Sequence, residues 1–237
     1  MVLLALLRTL AAILFLVLYG VFLGPIFILQ AVLSGSVRFL YPICVGGAQM
    51  GLRIAGVRTR AEGVHNIPPG VCLFVSNHVS NVDPPAIIGR VPGRVAMLAK
   101  REVFRIPLLG NAMRIGRFIP VHRADPASAR ASVRLARKYM REGISYLIFA
   151  EGTRSPDGRL GEFKRGSFLL AIESGASVVP VTILGTRDIL PRGAFLIRPG
   201  LARVVFHPPI DASAYSPATR QQLAERVRSA IASSLPG

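Results

Sequence analysis

From Thr9 to Val37 the chain carries no charged side chain. A helix needs about 20 apolar residues to cross the roughly 30 Å hydrocarbon core of a bilayer, and so long an uncharged run has few places in a water-soluble core. The run predicts a helical element that inserts into a membrane. Gly24-Pro25 interrupts it, and a second uncharged stretch follows from Phe39 to Leu52, between Arg38 and Arg53. Two helices are therefore expected. A secretory leader has a short apolar core followed by small residues at a cleavage site; this segment stays apolar for too long, and retention is expected. Arg38, Arg53, Arg58 and Arg60 follow the first run and only Arg8 precedes it, which puts the next domain on the cytoplasmic side of the cell membrane. The division implied is a membrane-inserting element over residues 1–54 and a second domain over residues 55–237.

The 237 residues hold 29 basic and 12 acidic side chains, a net charge of +17. Only Lys100, Lys138 and Lys164 are lysines, so arginine carries nearly all of the positive charge. Such a surface attracts anions. A nucleic-acid binder would also show exposed aromatic residues among its basic ones or a basic recognition helix, whereas this chain has no tryptophan and its aromatic residues sit mostly in apolar runs. An anionic phospholipid membrane and a phosphorylated small substrate are the expected partners. Cys44 and Cys72 lie in apolar stretches, and the histidines at 65, 78, 122 and 207 have no metal-ligand spacing. Neither a metal nor a cofactor is expected.

Past residue 60, apolar runs of strand length alternate with helical periodicity, the pattern of an α/β domain with a central sheet and flanking helices. Strands are expected at Val71 to Val75, Val95 to Ala99, Phe118 to Val121, Ile144 to Phe149, Val178 to Leu184 and Val204 to His207. Asp125-Pro126 opens a helix whose stripe is Ala129, Val133, Ala136 and Met140 and which Gly143 ends. A last helix runs from Pro217 to about Leu235, with Leu223, Val227 and Ile231 facing inward.

Chemistry concentrates where strands end. Ser76-Asn77-His78-Val79-Ser80-Asn81-Val82-Asp83-Pro84 follows a buried strand and leads into a helix beginning at Pro84-Pro85, and strand ends are where α/β folds place sites. A turn can fold Asp83 back so that its carboxylate orients the His78 imidazole, leaving a neutral histidine ready to take a proton. The bland alternative is that Asp83 caps the next helix. After the fourth expected strand comes Ala150-Glu151-Gly152-Thr153-Arg154-Ser155, where glycine lets backbone N–H groups approach a ligand and arginine can grip phosphate with two hydrogen bonds. A charged turn is the alternative. Lys100, Arg123 and Lys164-Arg165 add cations at equivalent positions, together a candidate phosphate pocket. No Gly-x-Ser-x-Gly elbow is present and neither cysteine neighbours a histidine.

Read together, Asn77-His78-x-Ser80-x-x-Asp83, Ala99-Lys100-Arg101-Glu102-Val103-Phe104 with Ile106-Pro107 and Gly110, Ile119-Pro120-Val121-His122-Arg123, Phe149 through Ser155, Phe163-Lys164-Arg165-Gly166 and Val179-Pro180-Val181 resemble the PlsC-type glycerolipid acyltransferases over roughly residues 55 to 210. Ala150 stands where the family usually has proline, Arg117 where a glycine is usual, and His122 where an acid is common. The resemblance implies direct acyl transfer from acyl-CoA or acyl carrier protein to the hydroxyl of 1-acylglycerol-3-phosphate (lysophosphatidic acid), giving phosphatidic acid for phospholipid biosynthesis. It makes His78 the general base and Asp83 its orienting acid. Lys100, Arg123 and Arg154 would bind the acceptor phosphate, and Glu151, Gly152 and Thr153 would shape the acceptor site. Two other readings stay open at this point: the same transfer onto another lysolipid head group, and a non-catalytic basic membrane-binding protein.

Overall fold

The computed structural model describes residues 2–121, 126–164 and 166–236. In chain order its elements are α1 (Val2–Ser34), α2 (Leu40–Ile54), β1 (Val57–Glu62), β2 (Cys72–Ser76), α3 (Asp83–Ile88), β3 (Val95–Lys100), α4 (Leu109–Ile115) and β4 (Ile119–Val121). There follow α5 (Pro126–Arg141), β5 (Ser145–Phe149), α6 (Gly166–Ser174), β6 (Ser177–Leu184), α7 (Thr186–Ile189), β7 (Gly200–Phe206) and α8 (Arg220–Ala232). The seven strands form one mixed sheet in the order β1-β7-β6-β2-β5-β3-β4. All neighbouring strands pair in parallel except β6 and β7.

The expectation of a two-helix membrane element needs correction. Pro25 lies inside α1 without ending it, so the first apolar run is one helix of 33 residues, about 50 Å long at 1.5 Å per residue. Among the described residues it alone is long and apolar enough to cross a membrane. The second uncharged stretch forms the 15-residue α2, which packs between α1 and the sheet domain. That packing works because a Gly47-x-x-x-Gly51 pair removes side-chain bulk on the facing surface. A Cβ at Gly47 would come within 2.5 Å of the Tyr19 ring, and one at Gly51 within 3.1 Å of the Leu16 side chain. The far end of α1 is pinned as well, since buried Thr9 accepts a hydrogen bond from the Ile197 N–H at 3.0 Å. The remaining apolar surface of α1, from Leu3 to Leu33, is exposed.

Alternation of side chains across the pleat splits the core in two. Cys72 and Phe74 of β2 face α2 and α3 together with Val179 and Val181, whereas Leu73 and Val75 face α5, α6 and α8 together with Tyr146 and Phe168. Each such side chain stabilises the fold by about 1.5–3 kcal/mol on full burial. Five expected strands appear within a residue or two of their positions, and β7 begins at Gly200, four residues before the expected start. β1 was not expected at all: its Val57, Thr59 and Ala61 alternate with Arg58, Arg60 and Glu62 on a sheet edge, and its pairing with residues 200–205 is long-range.

His207, at the end of β7, is buried against Thr182 with Nε2 to Oγ1 at 2.8 Å. The one hydroxyl hydrogen of Thr182 goes to the Ile231 carbonyl at 2.9 Å, so Nε2 must be the donor in its contact with Thr182. Burial pushes its pKa below the ordinary histidine value. An unfolded chain takes up a proton near pH 6.5 that the folded one resists, so stability falls as pH drops below that value. The melting temperature of His207→Gln, which keeps an N–H donor, should therefore fall less between pH 7.5 and pH 5.5 than that of the wild type, by on the order of a few degrees; equal falls would contradict this account.

Candidate active site

β2 ends at Ser76 in the middle of the sheet, between β5 and β6, and the next eight residues make a turn built almost wholly from side-chain bonds to backbone. The Asn77 side chain clamps the backbone of Ile183 on β6, donating to its carbonyl at 3.0 Å and accepting from its N–H at 2.9 Å. Ser80 Oγ donates to the Leu190 carbonyl at 2.8 Å and accepts from the Val82 N–H. These bonds fix the entrance and exit of the turn. Between them, fully buried Asp83 folds back: its Oδ2 lies 2.8 Å from His78 Nδ1 and accepts from the N–H groups of Val79 at 2.7 Å and Ser80 at 2.8 Å. No side chain caps α3, so the capping alternative for Asp83 does not hold.

The Asp83 carboxylate can only accept, so Nδ1 is the donor in this contact, and in the neutral imidazole Nε2 keeps its lone pair. Among the described residues Nε2 has no hydrogen-bond partner. The imidazole is stacked on Phe149 at 3.9 Å between ring centroids and 19° between planes, which fixes its remaining freedom. His78 is only 8 % exposed and borders a cavity of about 560 Å³. That cavity is lined chiefly by apolar side chains from α2, α3, β3 and α4, with Tyr41, Gln49, His78, Asn81 and Lys100 as its polar exceptions. Its size lies within the range of small-molecule sites, and its lining suits a hydrocarbon chain.

The loop after β5 is bound to the same turn. Glu151 is buried, and its two carboxylate oxygens accept from the His78 N–H at 2.8 Å and the Gly161 N–H at 3.0 Å. The His78 carbonyl accepts from the Ser155 N–H at 2.7 Å. Burial raises the Glu151 pKa above the ordinary carboxylate value, against the two N–H donors that favour the charged form. Gly152 has φ of +72°, and a Cβ there would approach the Lys164 side chain to 2.9 Å, so glycine is needed both for the turn and for the lysine lying over it.

The site residues expected from the sequence are His78, Asp83, Lys100, Arg123, Glu151, Gly152, Thr153 and Arg154. The fold brings His78, Asp83, Glu151 and Gly152 into one cluster. Lys100 ends β3 on the cavity wall and pairs loosely with Glu102 at 3.7 Å on the surface. Thr153 is exposed, and Arg154 is half-buried with its carbonyl accepting from Arg192 at 3.0 Å. Arg123 lies outside the described residues. Glu151 was expected to shape an acceptor site, but its side chain is engaged with backbone and buttresses His78. Phe149 had no expected role; only its place at the end of a strand pairing with β2 hinted at one.

A family model described as Acyltransferase matches residues 58–184. The chain belongs to the acyltransferase family. The 1-acyl-sn-glycerol-3-phosphate acyltransferase of Borreliella burgdorferi is 32 % identical over 189 residues, 79 % of this chain and 75 % of that one. The chloroplastic 1-acyl-sn-glycerol-3-phosphate acyltransferases of Brassica napus and Arabidopsis thaliana are each 36 % identical over 66 % and 73 % of this chain. The chain spans about half the length of these two chloroplastic relatives, 46 % and 48 %. The crystal structure of the 1-acyl-sn-glycerophosphate acyltransferase PlsC from Thermotoga maritima superposes with a TM-score of 0.79 and 26 % identity, covering 98 % of both chains. That acyltransferase matches this one through α1 and α2 as well as the sheet domain.

Because both Glu151 oxygens accept N–H groups, an amide cannot replace the carboxylate without setting an NH2 against a backbone N–H. Leaving one such buried donor unpaired costs about 1–3 kcal/mol. In this acyltransferase Glu151→Gln should therefore lower both the melting temperature and the catalytic rate, the latter by roughly tenfold or more as His78 loses its support; an unchanged rate and melting temperature would show that Glu151 does not hold the turn.

Proposed function

We propose that the protein transfers a fatty acyl chain from a thioester donor, acyl-CoA or acyl carrier protein, to the sn-2 hydroxyl of 1-acylglycerol-3-phosphate, forming phosphatidic acid. The observation that carries this reading is the 2.8 Å contact of Asp83 Oδ2 with His78 Nδ1 beside the apolar cavity. His78 Nε2 takes the hydroxyl proton as the oxygen attacks the thioester carbonyl carbon. Asp83 holds the tautomer and balances the imidazolium that forms. Collapse of the tetrahedral intermediate breaks the C–S bond, and the imidazolium returns the proton to the leaving thiolate. No protein side chain is acylated, and no cofactor is needed for these steps.

Placing the acyl chain in the 560 Å³ cavity leaves the phosphate to Lys100 and to Arg154 of the loop that Gly152 and Thr153 shape, with Arg123, which lies outside the described residues, as a third cation. The names of the relatives support the acceptor, and the cation-rich loop fits a phosphomonoester. We read residues 1–54 as the membrane element and 55–237 as the catalytic domain, lying at the cytoplasmic face of the cell membrane, where α1 meets lipid and the basic surface meets anionic head groups.

Assay of the purified protein on a panel of lysolipids, with acyl-CoA and acyl carrier protein donors, tests this reading. 1-Acylglycerol-3-phosphate should be the preferred acceptor, and His78→Ala should lower its turnover by roughly 100- to 10,000-fold without detaching the protein from membranes. Turnover of His78→Ala near the wild-type level would refute the mechanism, and preference for another lysolipid would refute the acceptor.

A further inference from the structure

A second cavity, of about 720 Å³, lies at the opposite end of the parallel strands from His78. It opens where α1 ends, and its walls include Val32, Arg38, Tyr41, Arg94, Arg117 and Glu142. Arg94 precedes β3, Arg117 precedes β4 and Glu142 precedes β5, so these charged groups gather at the N-terminal edge of the sheet. β3 alone, from Val95 to Lys100, separates this edge from the catalytic end by roughly 20 Å at 3.3 Å per residue.

Three guanidinium groups against one carboxylate make the cavity cationic, and their local partners are few. Arg117 sits at φ of +69°, with its guanidinium 4.8 Å from the centre of the Tyr139 ring. Arg38 is exposed and lies over Phe39. Arg94 is half-buried, and its Nε is buried without a hydrogen-bond partner among the described residues. Burial, together with the neighbouring Arg117, pushes the Arg94 pKa below the usual arginine value. Gathering guanidinium groups and leaving a donor unpaired is unfavourable unless an anion completes the arrangement, and phosphate oxygens match the guanidinium fork.

The cavity's position says which phosphate. α1 delivers its exposed apolar end, with Val32 and Leu33 63 % and 78 % exposed, directly to the rim. A helix of that length in a bilayer brings its terminus to the level of the head groups. We propose that this cavity is a second, non-catalytic binding site for the phosphate head group of an anionic membrane phospholipid, held by Arg94, Arg117 and Arg38. The lipid's chains run along the exposed face of α1. The site shares Val37 and Tyr41 with the wall of the 560 Å³ cavity but does not include His78, and it stands or falls independently of the reaction assigned there.

The test uses the full chain in a zwitterionic detergent, titrated with short-chain phosphatidylglycerol, a phosphodiester that is neither the acceptor nor the product proposed above. Binding is read by native mass spectrometry and by the rise in melting temperature. Saturable binding is expected in the wild type, and the R94Q/R117Q double variant should weaken it at least about tenfold, the equivalent of losing one charge-assisted hydrogen bond. R220Q/R226Q, which removes the same charge from α8, should bind as the wild type does. R38E changes an exposed side chain, so it tests the site without disturbing the half-buried Arg94, and it too should weaken binding. Wild-type binding by R94Q/R117Q and R38E would overturn the proposal. Equal affinity for inorganic phosphate alone would overturn the lipid assignment in favour of a free-anion site.

Discussion

The Asp83 carboxylate is the interaction on which the site depends. It has no exposure to solvent, and bringing an ionised carboxylate into such a place costs several kcal/mol unless hydrogen bonds offset it. Three donors converge on its Oδ2: the His78 ring and the Val79 and Ser80 N–H groups. Each charge-assisted bond contributes about 1.5–3 kcal/mol, so the turn and the imidazole are held by the same atom. The chain cannot keep the carboxylate buried without also folding the turn that presents His78.

Around that turn the fold supplies two surfaces of different character. On one side, α2, α3, β3 and α4 enclose an apolar space that reaches the imidazole. On another, the loop after β5 carries Glu151, Gly152 and Arg154 and is tied to the turn by the His78–Glu151 and Ser155–His78 backbone contacts. The acyl chain and the phosphate of the proposed reaction are chemically opposite ligands, and a catalyst joining them must meet both within reach of one nitrogen. Packing of α1 on α2 through Gly47 and Gly51 places the apolar space beside the long, exposed apolar helix α1. One wall of the cavity, α2, thus also packs against the long apolar helix α1.

Much of this was legible in the sequence because its signals are local. β2, β5 and β6 are dominated by apolar residues, as buried strands are, and Gly143, with φ of +87°, ends α5 as its position suggested. His78 and Asp83 lie within one turn, so their pairing needed no long-range information. What escaped was carried by contacts between distant residues. Glu151 reaches His78 across 73 residues, and Asn77 reaches Ile183 across 106; composition gives no sign that either side chain is engaged with backbone. β1 is half charged and exists as a strand through its pairing with β7. Gly24-Pro25 reads as a break, yet the helix continues through it, since neighbouring helices and an apolar setting tolerate a proline.

The measurement that bears most directly on the account is the rate of acyl transfer by Asp83→Asn, taken with the melting temperature and with the histidine tautomer read by nitrogen NMR. Asparagine keeps the shape and can still accept the Val79 and Ser80 N–H groups, but it carries no charge to balance an imidazolium. The account predicts a folded, membrane-associated protein whose transfer rate is lower by on the order of 100- to 10,000-fold. Near wild-type transfer by folded Asp83→Asn would contradict it.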